Sequence, residues 1–435
     1  MTLVVGDGSP PQEHRTLLLR DGRIAAIVPT GAPLPGSRGA RRLDGRGRYA
    51  MPGMMDVHIH LAGGVLAFAR DPSAPAGYDD AAALRALHGY LYAGFTSVYD
   101  AGNAAEFIYP LRERERRGEI QAPRLFATGR YLTWPGSWGA QPGGVALGTP
   151  LHEGAALRAD LDAQLRGRPD LQKLVYESGG LGPNAWIPSM PQPVLREAIA
   201  CLHAQGVRTT VHVSTEAAAR EALDSGIDSF AHTPAVGALS KDFVARVAAA
   251  RVPMVSSMVV FDEIVQLGAG TAYLDGPDYV ALMSDEDRRG RAASRELYVR
   301  TGWPAWFAAI QPYLRQNVRR LHEAGAILAL GTDKSHAPLA LRELELLTEA
   351  SIPAADVVTI ATRNAAIYLG VADRLGTLEV GKAADLLLLR ADPTRDIRNV
   401  RQIEAVIKAG TVVDRARLDV PANGSRSVPG TVAVK

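Results

Sequence analysis

Apolar and polar residues change rhythm twice along this chain. Over the first fifty residues, short apolar runs alternate with turn residues. Thr16-Leu-Leu-Leu-Arg-Asp-Gly-Arg-Ile-Ala-Ala-Ile-Val holds two such runs joined by Asp21-Gly22, a pair suited to a tight hairpin. The same texture returns near the far end. Ala384-Asp-Leu-Leu-Leu-Leu reads as a buried strand, and two short runs flank Ala409-Gly410. Between about 51 and 370 the pattern alternates. Strand-like runs fall at Met54–His60, Thr96–Asp100, Arg124–Thr128, Gln172–Tyr176, Arg208–Val213, Ser229–His232, Val252–Met258 and Ile327–Thr332. Stretches of helical period separate them at 81–93, 104–117, 154–166, 191–205, 215–225, 239–250, 310–324 and 339–350.

Eight strands, each followed by a helix, predict an α/β chain with a (β/α)8 barrel over residues 51–370. The β-rich ends predict a small β-sandwich domain built from residues 1–50 and 371–420, followed by a tail at 421–435. An open doubly wound sheet is the rival. It would carry a Gly-rich phosphate turn after an early strand, and Ala62-Gly63-Gly64 lacks that spacing. Two strand-to-helix connections are long. One, 129–153, holds Trp134, Trp138 and Pro142-Gly143-Gly144. The other, about 259–309, holds Tyr273, Trp303, Trp306 and Phe307. Both are expected as loops that wall the mouth of a barrel, and their aromatic residues suit an apolar substrate.

Composition narrows the function. The chain has 435 residues, 47% of them hydrophobic, and a net charge of +2. That balance fits a globular protein with a large core and gives no electrostatic reason for a nucleic-acid or anionic-membrane partner; the small-molecule substrate is expected from the residues below. No apolar run reaches the ~18–20 residues of a membrane span, and no signal-peptide pattern opens the chain, so the cytoplasm is the expected location. The single cysteine, Cys201, excludes a disulfide framework and a thiolate zinc site.

Polar residues gather at the expected C-terminal ends of the strands. His58 and His60 end the first strand. In an extended chain, side chains at i and i+2 share a face, so two imidazoles emerge side by side there. Lys173 lies inside the apolar run of the fourth strand. His212 lies on the fifth, His232 ends the sixth, and Asp333 ends the eighth. A strand-end histidine alone is commonly a hydrogen-bonded structural residue, and Asp333 alone could cap the next segment. Six such residues on one rim point instead to a metal centre.

The ordered set Pro52-Gly-Met-Met-Asp-Val-His-Ile-His, Lys173 before Ser178-Gly-Gly, Val211-His-Val, Ala231-His-Thr and Leu330-Gly-Thr-Asp resembles the amidohydrolase superfamily of metal-dependent hydrolases. Gly376-Thr-Leu-Glu-Val-Gly-Lys-Ala-Ala-Asp-Leu resembles that family's return into its small β domain, so the likeness spans roughly residues 1–415. The resemblance implies two divalent metals, with zinc the first choice. It assigns His58, His60 and Asp333 to one metal and His212 and His232 to the other, bridged by Lys173 as an N6-carboxylated lysine. It implies hydrolysis by a metal-bridging hydroxide, with Asp333 as general base and then acid. A homo-oligomer is also implied.

The segment around Lys173 is similar to the prolidase-like and imidazolonepropionase-related group, which suggests an amide C–N bond in an N-acyl amino acid, a dipeptide or an arylamide. Tyr176-Glu177 before the turn and Lys334-Ser335-His336 after Asp333 depart from that pattern. Tyr176, Lys334 and His336 are therefore candidate substrate contacts. Ester, lactone or phosphoester hydrolysis at the same centre remains the alternative, followed by a mononuclear lyase or isomerase.

Overall fold

The computed structural model describes residues 1–34, 36–61, 79–140, 147–177, 179–182 and 184–424. Ser178, Ala62-Gly63-Gly64, Pro142-Gly143-Gly144 and the end of the tail, 425–435, lie outside them. The fold is mixed α/β. Strands Met54–Ile59, Phe95–Asp100 and Arg124–Ala127 pair in parallel as one sheet. A second sheet has seven strands and is also parallel. Gln172–Val175, Thr209–His212, Ser229–Phe230, Met254–Val255 and Leu328–Ala329 follow one another across it, and Tyr131–Thr133 and Gly148–Pro150 extend it beyond Gln172–Val175.

Backbone hydrogen bonds join the two sheets at both edges. The Val57 amide donates to the Leu330 carbonyl at 2.9 Å on one side, and the Asp170 amide donates to the Ala127 carbonyl at 3.0 Å on the other. Helices Asp80–Tyr92, Ala105–Arg116, Ala155–Leu165, Gln192–Ala204, Glu216–Asp224, Lys241–Ala250 and Ala337–Glu349 fall within a few residues of the periodic stretches.

The segment expected as a loop at 259–309 is helical instead. Met258–Ala269, Pro277–Leu282, Asp285–Ala293, Arg295–Arg300 and the 21-residue Trp303–Glu323 occupy it. Its apolar residues at 303, 306, 307 and 310 repeat at helical spacing and share one face.

The chain ends share a five-stranded sheet ordered Thr2–Leu3, Tyr49–Pro52, Leu386–Leu389, Ile403–Lys408, Thr411–Val412. The hairpin Arg15–Arg20/Arg23–Pro29 accompanies it. Asp21 and Gly22 have φ of 51° and 73°, and Ala409 and Gly410 have 49° and 75°. Positive φ at both central residues is what a twisted two-residue hairpin requires. Leu386–Leu389 is buried on both faces. Leu386 and Leu388 pack with Leu3, Ile24 and Ala50, while Leu387 and Leu389 join the main core.

One buried carboxylate ties the first strand to the last. Asp56 accepts from the amides of His58 and Thr332 and from the hydroxyls of Thr332 and Tyr90. Asp56→Ala strips four buried donors of their acceptor. It is expected to lower unfolding stability by about 3 kcal/mol or more, measured by denaturant titration. A loss within the error of the fit would show that water replaces the carboxylate.

Candidate metal centre

The strand ends place six polar side chains around one point. Ligand atoms of His58, His60 and Asp333 all lie within 4.8 Å of one another. Nε2 of His60 is 3.0 Å from an Asp333 oxygen and Nε2 of His58 is 3.4 Å from the same atom. Lys173 Nζ stands 2.9 Å from His58 Nε2. The His232 ring lies 4.5 Å from that of His58 and 4.8 Å from that of His212, centroid to centroid.

Local backbone geometry makes this possible. Gly331 lets the last strand approach the first, since a Cβ there would fall 2.8 Å from the His58 Cβ. Asp333 then turns with φ of 55°, a conformation disfavoured for any residue with a Cβ, and its amide donates to the His58 carbonyl at 2.7 Å. Ser257, whose hydroxyl lies 3.2 Å from His232 Nδ1, also has positive φ, 47°. Buried Glu343 fixes that turn by accepting from the Ser256 hydroxyl and the amides of Met258 and Val259.

Tautomers follow from the partners. Nδ1 of His58 faces the Ala231 carbonyl at 2.9 Å and Nδ1 of His60 faces the Gly102 carbonyl at 2.8 Å. A carbonyl only accepts, so both Nδ1 atoms carry the proton, and each ring in its neutral form presents its Nε2 lone pair to the centre. Burial, and then the charge of Lys173, holds His58 well below its ordinary pKa; burial and then His212 do the same for His232. Neutral imidazole lone pairs therefore converge on a carboxylate oxygen. That is repulsive by itself and favourable around a cation. The donor set fits a divalent metal.

The chain matches the amidohydrolase family over residues 49–413. It belongs to the amidohydrolase family. It is thus a metal-binding hydrolase acting on carbon–nitrogen bonds. An imidazolonepropionase from Rubrobacter xylanophilus is 27% identical over 409 residues, which cover 89% of this chain and 88% of that one. The structure of a Xaa-Pro dipeptidase with bound methionine in its active site superposes with a TM-score of 0.72 at 20% identity, covering 95% of this chain and 98% of the other. Phenylurea hydrolase B superposes with a TM-score of 0.73 at 22% identity, with 98% of each chain covered. Among the described residues, no helix is long and apolar enough to cross a membrane.

The three expected substrate contacts lie elsewhere. Tyr176 donates its hydroxyl to Glu221 on the neighbouring helix. Lys334 is 1% exposed and pairs with Glu263 at 2.8 Å, so it has no free charge to offer a substrate. His336 precedes the helix Ala337–Glu349, beside the Ser335 hydroxyl at 2.9 Å and the Asp287 carboxylate at 3.7 Å. None of the three lines the cavity that contains His60, Lys173, His212, His232 and Asp333. Of the four tryptophans expected at the mouth, Trp138, Trp303 and Trp306 line that cavity, whereas Trp134 packs on the main core.

Sequence reading passed over Glu177. Its carboxylate accepts from the Ser214 hydroxyl and lies 3.1 Å from His212 Nε2, leaving Nδ1 as the nitrogen available to a metal. Strand alternation was the available signal, because 177 has the parity of 173 and 176 does not. Glu177→Ala is expected to weaken metal retention by about 10–100-fold in chelator competition, with Glu177→Gln intermediate. Unchanged retention in both variants would separate Glu177 from the metal centre.

Proposed function

We propose that this amidohydrolase cleaves the C–N bond of an amide-type substrate at a dinuclear centre. His58, His60 and Asp333 would hold one divalent metal, His212 and His232 a second, with zinc the best match to these donors. The convergence of His58 and His60 lone pairs on Asp333, with Lys173 Nζ 2.9 Å from His58 Nε2, carries this reading. Relatives named for hydrolysing dipeptides and phenylureas support the bond type. The family likeness also leads us to read the parallel sheets as one (β/α)8 barrel over 51–370. We read the terminal strands as a small β-sandwich domain of 1–50 and 371–420.

Lys173 is the unusual member of the set. Burial lowers its pKa to about 8, so a useful share of the neutral amine exists near neutral pH. The neutral amine attacks carbon dioxide; an N–C bond forms, one proton leaves, and a carbamate results. That change replaces a cation with an anion bearing two oxygens, which suits a bridge between cations.

Bound metals supply Lewis acidity and make water a nucleophile at neutral pH. Asp333 takes the proton from the attacking water on its carboxylate. It then delivers that proton to the departing nitrogen, which leaves as an amine. The hydrogen bond from the Asp333 amide to the His58 carbonyl and the close approach allowed by Gly331 hold that carboxylate in place.

Asp333→Asn is expected to cut kcat by about 100-fold or more while the protein stays folded by circular dichroism. A variant within a few-fold of the parent would remove Asp333 from proton transfer. Lys173→Ala is expected to lose bound metal by elemental analysis and to regain part of its activity with acetate or propionate. Full metal content in that variant would argue against the carbamate.

A further inference from the structure

The cavity over the strand-end residues has a volume of about 120 Å³. Its outer wall is aromatic. Trp303 stacks on Phe307 at 5.4 Å, Trp138 meets Trp303 edge-on at 6.2 Å, and Phe261 meets Phe307 at 4.6 Å. Val260, Ile264 and Ile310 fill the rest of that side.

Among the described lining residues, Lys173 is the one lysine or arginine, and the proposed centre already uses it. Two buried cations near the wall do not line the cavity. Lys334 and Arg291 both pair with Glu263, at 2.8 and 3.0 Å, and each is at most 3% exposed. A substrate carboxylate entering the wall would lose its water and touch no counter-ion among the described lining residues, which opposes binding strongly.

One polar group does face this problem in reverse. Tyr298 lines the cavity, is 7% exposed, and its hydroxyl has no hydrogen-bond partner among the described residues. A buried phenol without a partner is costly, and a turn of the ring that brings its closed-off hydroxyl to the cavity would let a ligand acceptor satisfy it.

Resting on the proposed C–N hydrolysis, we infer that the substrate is an uncharged amide bearing an aryl group, of the anilide type, whose carbonyl oxygen accepts a hydrogen bond from Tyr298. The aryl group lies against Trp303, Trp306 and Phe307. Water adds to the carbonyl carbon, the C–N bond breaks, and a carboxylic acid and an arylamine leave. The inference excludes a C-terminal carboxylate, and with it dipeptides and N-acyl amino acids as preferred substrates.

Two measurements on the metal-loaded protein test this. The first compares kcat/KM for acetyl-4-nitroanilide and N-acetylphenylalanine, with an expected preference for the anilide of about 100-fold or more. Equal or better cleavage of N-acetylphenylalanine overturns the inference. The second titrates tryptophan fluorescence with acetanilide and with N-acetylphenylalanine. Saturable binding of the neutral ligand, at least about 10-fold tighter, supports the inference even if no amide is cleaved; in that case the proposed reaction fails and the pocket reading stands. Absence of acetanilide binding overturns it. Tyr298→Phe is expected to raise the anilide KM or lower kcat by about 10-fold without loss of metal or thermal stability. An unchanged kcat/KM removes Tyr298 from substrate contact.

Discussion

The hydrogen bond from the Asp333 amide to the His58 carbonyl is the constraint on which this site depends. It fastens the last parallel strand to the first at the level of the paired histidines. Gly331 allows the approach, and Asp56 ties the same two strands one turn of chain earlier. Without it, Asp333 has no reason to keep a left-handed backbone, and its carboxylate leaves the two imidazoles. The carbonyl partners of Nδ1 then do the rest. They decide which nitrogen of each ring faces inward, so the ligand field is set by backbone atoms rather than by the histidines themselves.

Much of this was legible in the order of residues. Each expected strand and helix has a counterpart, within a few positions except that the helix expected at 310–324 begins at Trp303, because the period changes from 2 to 3.6 in an alternating α/β chain. His58, His60, Lys173, His212, His232 and Asp333 come together because strands of one parallel sheet system end on one side. What escaped the reading has physical causes. Tyr176 was placed one residue out of phase with Lys173, and strand alternation turns it to the helix layer. Lys334 looked available because its partner, Glu263, sits 71 positions earlier on a helix that was read as a loop. Apolar residues at helical spacing in 303–310 were present in the sequence, but the aromatic content drew attention to the mouth of the site rather than to the period.

Electrostatics divide the site into two layers. The inner layer gathers lone pairs and a lysine under parallel strands, and it is balanced only around cations. The outer layer keeps its charges out of the cavity, with Lys334 and Arg291 both buried against Glu263. The chain thus keeps strong fields close to the reacting atoms and leaves the approach apolar. A low-dielectric approach strengthens every interaction at the centre.

The doubly buried Leu386–Leu389 strand has a consequence for how the chain is made. Leu387 fills the space beside Gly94, which has no side chain to spare there, and Leu389 enters the same core. That surface is laid down by residues near 94, almost three hundred positions before its cover. During synthesis it must wait, apolar and uncovered, until the last fifth of the chain emerges. Completion of the main core is therefore tied to the arrival of the far end of the chain, and a product terminated before it would bear a sticky underside.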